Sequence, residues 1–546
     1  MKIGLKMDAE TARITSLQRI ARSTFACLSD RHELVFLPRE YGFVSAGEQE
    51  RLAEAFVAGC DVLLGLPDPE LLAARRRLGS TVPYVYFTFG DLPVGGWTMN
   101  ALKGGITTGD VMLVNCTAEV EIAGRLFRNA QVRVLPFAFD AGAFYPLDEE
   151  ERRAARRRLR FRDDDRIVLY VGRILPEKGV HALLAIFDVV CRRVPGARLV
   201  LAGNVDLAHL ESFSVFPVSL PGTFARLIGR MEGAERVHTL VPATDGRLRE
   251  LYNIADVKVN LTLNPDENFG LAQVEAMACG TPVVGTAWGG LKDTIVDGVT
   301  GYRVSTVPTG TGVKLSWWEA LNHVVALLED PDAREAFREP CRQAAEAYSL
   351  ARYGALLEEI LAAAVRGRGP AEPLQPTPFA EELWSVCNPR WPGAPFRRGP
   401  RSEALYTELV TPFTGVSPLH VPAGDELDPG QVLSLSTPVH LDGAGRFRLD
   451  DVFYPFEIDV PAAHRDAVAR VLGRMREAPA VTVGALACVE PHASDALRWM
   501  LHAGLLLRTR PRPGWMEPGA VHRRLGDVAF SIQQVDREAT DLLVYR

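Results

Sequence analysis

Short apolar runs alternate with longer stretches of helical composition over the first two thirds of the chain. In the first part the runs fall at residues 2–6, 33–37, 61–65, 84–89, 110–115 and 132–139. Between them lie segments such as 48–58 and 118–128, rich in Ala, Glu, Leu and Arg. Strand–helix alternation of this kind predicts a parallel sheet with helices on both faces. In such sheets ligands sit beyond the carboxyl ends of the strands. Those ends are expected at residues 88–91, 115–117 and 139–140. The alternation then restarts, with apolar runs at 167–172, 198–203, 237–241, 257–263, 282–287 and 301–304. Residues 317–364 read as helical, with a break at Asp330-Pro331. A chain of 546 residues exceeds what one core organises, so two α/β domains and a further region are expected.

One stretch concentrates the chemistry. After the run at 257–263, Asn264-Pro265-Asp266 breaks the strand. Residues 269–279 are good helix formers, and Gly280 stops the helix in the C′ position. Residues 281–287 read as a buried parallel strand. Glu267 lies at the helix entrance and Glu275 about two turns in. Eight positions at ~1.5 Å each separate them by roughly 12 Å if all are helical. They cannot grip one atom together, but they can hold two parts of an elongated ligand. Glu275 is the only charge between Gly270 and Gly280 and needs hydrogen-bond donors. The amides near Asn268, Phe269 and Gly270 offer an anion site by helix geometry. Phosphate between two hydroxyl-binding carboxylates describes a nucleotide-sugar site.

This stretch resembles the signature of the retaining GT-B glycosyltransferases of the group 1 / family 4 type. The residues that carry the resemblance are Glu267, Phe269-Gly270-Leu271 and Glu275 through Val284. The run Gly172-Arg173 followed by Glu177-Lys178-Gly179 matches the same family. The resemblance implies two facing Rossmann-like domains, covering about residues 1–365. It implies that Arg173 and Lys178 clamp the donor diphosphate. Glu275 would hold the ribose hydroxyls and Glu267 the donor sugar hydroxyls, with amides at Asn268, Phe269, Gly270 and Leu271 assisting. Glu267, Arg173 and Lys178 are thus the expected catalytic set. Fixed cations favour a leaving nucleoside diphosphate as its charge grows. No metal and no cofactor is expected, the nucleoside-diphosphate sugar being a co-substrate. Two departures from the family pattern stand in the first domain. Met7 to Ala12 lacks the usual Gly-Gly loop, and Gly90-Asp91 stands where His-Asp is common. A catalytically silent sugar-nucleotide-binding scaffold is therefore the alternative, beside an epimerase or phosphorylase of the same family.

Composition narrows the partners. Net charge is −7, hydrophobic content 47% and charged content 24%, so no nucleic acid is expected. Eight Cys occur without a Cys-x-x-Cys pair, which fits a reducing compartment. The start Met-Lys-Ile-Gly-Leu-Lys reads as a strand rather than a signal peptide, and a cytoplasmic location is expected. The Arg- and Glu-dense segment 149–162 reads as a solvated helix, and Asp163-Asp164-Asp165 as a turn rather than a metal site.

The expected organisation is 1–145, an acceptor-side domain, and 146–365, a donor-side domain. A Pro/Gly-rich linker at 366–430 and a small α+β domain at 431–546 follow. In the last region 431–441 and 446–458 suggest a hairpin, and Val468, Val471, Leu472 and Met475 share a helix face. The order of elements resembles a winged-helix module. Residues 370–546 are expected to serve acceptor or protein-partner recognition. The acceptor itself is open: small molecule, glycan, lipid or peptide.

Overall fold

A computed structural model describes residues 1–7, 15–175, 178–204, 220–241, 244–310, 312–386, 400–415, 427–435, 439–441, 446–449, 456–477, 481–488, 493–510 and 514–516. They form two compact units. The first comprises Met1–Gly142, Pro265–Val274 and Ala345–Phe396; the second comprises Ala143–Asn264, Glu275–Ala344 and Arg397–Arg546.

The first unit is built on a parallel sheet of six strands. They are β1 (Lys2–Lys6), β2 (Glu33–Phe36), β3 (Val62–Gly65), β4 (Tyr84–Phe87), β5 (Val111–Val114) and β6 (Gln131–Val134), in the order β2-β1-β3-β4-β5-β6. The central strands β3, β4 and β5 are buried throughout, as apolar runs covered on both faces must be. The edge strand β6 alternates in exposure and ends at Val134, short of the expected 139. Pro136 follows two residues later and cannot donate to a ladder. The helix Leu350–Arg366 supplies Tyr353, Leu357, Ile360, Leu361 and Ala364 to the core of this unit. Packing therefore places Ala345–Phe396 in the first unit.

The Pro/Gly-rich segment that follows is a strap along the same unit. Thr108 donates its amide to the Glu372 carbonyl (2.8 Å), Leu374 to Ile106 (3.0 Å) and Arg128 to Gln375 (2.9 Å). The helix Pro378–Val386 continues it, with Trp384 Nε1 donating to the Gly95 carbonyl at 2.6 Å. Backbone pairing to loops is available to prolines' neighbours, which is why a composition typical of linkers forms an ordered strap here.

The second unit repeats the sheet. Its strands are β7 (Arg166–Val171), β8 (Ala197–Ala202), β9 (Val237–Leu240), β10 (Val257–Asn260), β11 (Val283–Thr286) and β12 (Gly301–Val304), in the order β12-β11-β10-β7-β8-β9. All their pairings are parallel. The helix Glu149–Arg158 is capped by a reciprocal Asp148–Glu151 pair. Its buried Arg156 donates to the carbonyls of Arg162, Asp165 and Ile254. Asp165 accepts from the Arg162 amide (2.8 Å) and pairs with Arg198 (3.0 Å), so it closes a turn.

A hairpin, β13 (Thr306–Thr309) with β14 (Gly312–Leu315), joins this sheet to the C-terminal region. There β15 (Val432–Leu435), β16 (Val439–Leu441), β17 (Arg446–Leu449) and β18 (Phe456–Asp459) precede three helices, Arg465–Glu477, Val483–Ala487 and Ala493–His502, and a last strand, β19 (Leu506–Thr509). β16, β17 and β18 form an antiparallel sheet, while β15 pairs with β19. The expected hairpin is thus β16–β17, its tip at 442–445 lying outside the described residues. Val468, Val471, Leu472 and Met475 are buried together with Leu433, Leu486, Leu497 and Met500. The region is docked within the second unit: Gly310 donates to the His502 carbonyl (2.9 Å), and Trp318 packs edge-on against Trp515 (5.0 Å). No helix of the described residues is long and apolar enough to cross a membrane.

Candidate functional site

In the second unit β7 is the first strand, and the chain then builds outward on both of its sides. The order reverses between β7 and β10. Loops leaving the carboxyl ends of two such strands diverge and leave a crevice. Arg173 lies two residues beyond β7, half-buried, with its carbonyl accepting from the Tyr170 hydroxyl at 2.5 Å. Its guanidinium makes no hydrogen bond or ion pair with the described residues. Lys178, also half-buried, donates its amide to the Leu175 carbonyl at 3.1 Å. Gly179 follows with φ +70°, and a Cβ there would lie 2.3 Å from the Leu261 carbonyl oxygen. The turn carrying Lys178 is therefore pressed against the residue that leaves β10. Both cations occupy the loop between β7 and the helix Val180–Arg193, at the carboxyl end of the sheet.

Glu275 lies in the helix Leu271–Ala278 and is 2% exposed. Its Oε2 accepts a 2.8 Å hydrogen bond from the Tyr252 hydroxyl. Tyr252 is itself buried, its ring edge-on to Phe144 (5.8 Å) and its carbonyl accepting from Thr281 Oγ1 (2.6 Å). The sequence demanded a donor for this carboxylate without identifying it. The nearby Cys279 thiol is pushed above its ordinary range, first by burial and then by the Glu275 charge.

Residues 265–274 pack in the first unit. Helical geometry begins at Leu271 rather than Phe269, because Gly270 has φ +87°. The roughly 12 Å spacing drawn for a continuous helix from Glu267 to Glu275 therefore does not apply. Phe269 is 2% exposed, edge-on to Phe137 (5.4 Å) and Tyr348 (5.3 Å). The amides of Phe269, Gly270 and Leu271 donate no hydrogen bond within the described residues. Those of Gly270 and Leu271 open the eight-residue helix, and that of Phe269 precedes it. Glu267 is half-buried beside them.

Asn268 anchors this loop. Its Nδ2 donates to Asn115 Oδ1 at 3.0 Å and reaches Glu119 Oε1 at 3.4 Å. Sequence reading missed Glu119, although the signal was there. On the helix Thr117–Leu126 it stands at the spacing of the buried Ile122, Ala123 and Leu126. Burial, partly offset by hydrogen bonds from the Asn115 amide and Asn268 and reinforced by the Asp266 charge, pushes its carboxyl up to about 7.

Gly90 also faces this loop. A Cβ at Gly90 would lie 2.8 Å from Asp266 Oδ1, so no histidine fits there without moving the loop. Asp91 accepts from the amides of Thr98 (3.1 Å) and Met99 (3.3 Å) and caps the helix Trp97–Leu102. The two glycines before the short helix Leu291–Thr294, Gly289 and Gly290, lie against the chain at 412–414. Gly289 donates to the Phe413 carbonyl (3.0 Å), and Lys292 Nζ donates to the carbonyls of Pro412 (2.5 Å) and Thr414 (2.9 Å).

Three comparisons bear on this arrangement. Residues 151–343 match the family model described as glycosyl transferases group 1. D-inositol 3-phosphate glycosyltransferase of Mycobacterium tuberculosis is 35% identical over 216 residues, 40% of this chain and 40% of its own length. The chain thus spans about two fifths of the curated relatives it matches. Among solved structures, Anabaena Alr3699/HepE in complex with UDP-glucose aligns with a TM-score of 0.50 at 17% identity, covering 66% of this chain and 99% of its own. At that identity the likeness concerns the fold. Arg173, Lys178 and Glu275 all fall inside the matched range. Residues 151–343 are thus similar to the glycosyl transferases group 1 family, within a GT-B fold of two Rossmann-like domains.

Proposed function

We propose that this chain is a glycosyltransferase that moves a sugar from a nucleoside diphosphate to an acceptor with retention of configuration. The observation that carries the reading is the pair Arg173 and Lys178. Both leave the loop after β7, at the strand-order reversal of the group 1 domain. Two cations there suit a diphosphate, whose leaving oxygen gains charge as the glycosidic bond breaks. The open amides of Phe269, Gly270 and Leu271 suit an anion as well. Glu275, held by Tyr252, suits a ribose hydroxyl pair, because a buried carboxylate accepts several hydrogen bonds. Glu267 is assigned to the sugar hydroxyls. Protein cations take the charge-neutralising role, so the reading requires no metal. No protein base is assigned, since the leaving phosphate can take the acceptor proton.

UDP-sugars are the first donors to test, since the structural relative binds UDP-glucose. The acceptor is a separate question, because the curated relatives match over two fifths of their length. The test is incubation with a panel of nucleotide sugars and detection of released nucleoside diphosphate. Release with at least one donor supports the reading. Binding of a donor with no release, with or without candidate acceptors, favours the scaffold alternative that Gly90-Asp91 motivates.

A further inference from the structure

A carboxyl group without solvent access lies beneath the loop that carries Glu267. Glu119 is 0% exposed, one turn into the helix Thr117–Leu126, and shares its face with Ile122, Ala123 and Leu126. An apolar side chain would fill that place at lower cost, since a buried charge is unfavourable unless it is hydrogen-bonded. What the carboxylate does there is accept. Oε2 takes the Asn115 backbone amide at 2.8 Å, and Oε1 faces Asn268 Nδ2 at 3.4 Å.

We propose that Glu119 is a positioning residue: through Asn268 its carboxylate holds the segment Glu267–Leu271 in the geometry used for the donor sugar. The inference rests on the glycosyltransferase reading above and extends it to a group that touches no substrate.

The direction of the hydrogen bonds carries the argument. Asn115 Nδ2 donates to the Leu135 carbonyl at 3.0 Å, which fixes Asn115 Oδ1 as the atom turned toward Asn268. Asn268 must then present its Nδ2, whose two protons meet Asn115 Oδ1 and Glu119 Oε1. This orientation suits an ionised Glu119. A proton on Oε1 would place donor against donor. Turning the Asn268 amide over would instead set its oxygen against Asn115 Oδ1. Either way the loop loses an anchor, and Glu267 is the adjacent residue. Two further observations locate the consequence in the loop. Gly90 leaves room for Asp266, and Phe269 is wedged between Phe137 and Tyr348. The segment is thus clamped on both sides of Asn268, so a lost anchor is felt at Glu267 rather than absorbed by a free loop. The titratable groups that act on Glu119 are Asp266, from the loop, and Cys116, from its own turn. Burial is the main reason its carboxyl titrates near neutrality.

The experiment compares the full-length wild type with Glu119→Gln. Turnover of a nucleotide sugar is followed from pH 5.5 to 8.5, and nucleoside diphosphate affinity is measured by calorimetry. The side-chain amide of Asn268 is followed by NMR over the same range in both proteins. In the wild type the Asn268 amide is expected to titrate with a midpoint of about 7, and kcat to rise through the same midpoint. In Glu119→Gln both transitions vanish. There kcat falls about ten- to hundredfold at pH 8, while nucleoside diphosphate affinity stays within about twofold. An Asn268 amide that does not titrate in the wild type overturns the proposal. So does a variant with wild-type kcat and an unchanged pH profile, or one that loses diphosphate affinity and thermal stability together. The amide titration needs no turnover. A wild type whose Asn268 amide titrates but that releases no nucleoside diphosphate from any donor therefore overturns the transferase reading and leaves the Glu119–Asn268 coupling standing.

Discussion

The Tyr252 hydroxyl donates to Glu275 Oε2 at 2.8 Å, and both side chains are buried. Both residues belong to the second unit, Tyr252 on the helix Asp245–Ile254 and Glu275 on the helix Leu271–Ala278, with β10 between them in sequence. A carboxylate inside an otherwise apolar helix is thereby given an oriented donor. One oxygen is turned toward Tyr252, which sets the orientation of the other.

Tyr252→Phe tests that relationship. Removing the hydroxyl leaves a buried carboxylate oxygen short of a donor, at a cost of about 1–3 kcal/mol. Urea unfolding should show a midpoint shift of that size with an unchanged slope. Nucleoside diphosphate affinity should fall as well, because the hydrogen bond that orients Glu275 Oε2 is lost. A variant as stable as the wild type would remove Tyr252 from the site.

Lys178→Ala removes one of the two cations after β7 without touching the core, since Lys178 is half-buried and its backbone amide bond to Leu175 survives. Calorimetry should show nucleoside diphosphate binding weakened by about tenfold, in line with one charge-assisted contact. The melting temperature should move little. Unchanged affinity would count against the assignment of the diphosphate to this loop.

The two glutamates should separate. Glu275→Gln is expected to weaken free nucleoside diphosphate, because ribose contacts persist without the sugar. Glu267→Gln is expected to spare that affinity and to lower transfer. Equal losses of diphosphate affinity in both variants contradict the division of labour.

Truncation near residue 366 is expected to damage the fold. A recognition module at 370–546, as the composition suggests, would be detachable without loss of the fold. The structure places the strap over Ile106, Leu126 and Phe127, and Trp384 against Phe127 (5.9 Å) and Lys103 (4.9 Å). Cutting at 366 also removes Phe413, buried edge-on against Trp288 (5.3 Å). Exposing such aromatic surface loses several kcal/mol of burial at about 25 cal/mol per Å². Size-exclusion chromatography and thermal melts of the truncated chain should show aggregation or a lower transition. A monodisperse truncated chain with a wild-type melting temperature would restore the detachable-module view.

Stability should depend on pH through Glu119. Its carboxyl rises from 4.5 in the unfolded chain to about 7 in the fold. Between those values the folded state binds more protons than the unfolded state. Stability is therefore fully present below about pH 4.5, falls as pH rises through about 7, and is flat beyond. A shift of this size corresponds to about 3 kcal/mol at most. Denaturation at pH 5, 6, 7 and 8 should show this component in the wild type and lack it in Glu119→Gln. Stability thus falls over the range in which the Asn268 anchor forms, a trade between stability and function seen in strained sites.

Local pattern carried much of this protein. The two sets of alternating strands and helices were legible because a buried parallel strand is an apolar run and a surface helix repeats every 3.6 residues. Gly280 ended its helix where the residue type said it would, and Val468, Val471, Leu472 and Met475 formed one buried face. The signature residues were legible because their types and spacing are contiguous in the chain.

Only tertiary structure decided the partners. Asn268 and Asn115 are 153 residues apart in sequence, and Asn268 and Glu119 are 149 apart. No periodicity links such positions, because their contact follows from the order of strands in the sheet. The same holds for Tyr252 beside Glu275, Gly90 beside Asp266 and Phe413 over Gly289. The Pro/Gly-rich segment at 366–377 shows the limit from the other side. Its composition predicts no local structure, and its order comes from hydrogen bonds to loops far earlier in the chain, as where the Gln375 amide donates to Asn129 Oδ1, 246 positions away. Residue type sets which groups need a partner; the fold determines which partner meets that need, because burial and hydrogen bonding are satisfied in space and not along the chain.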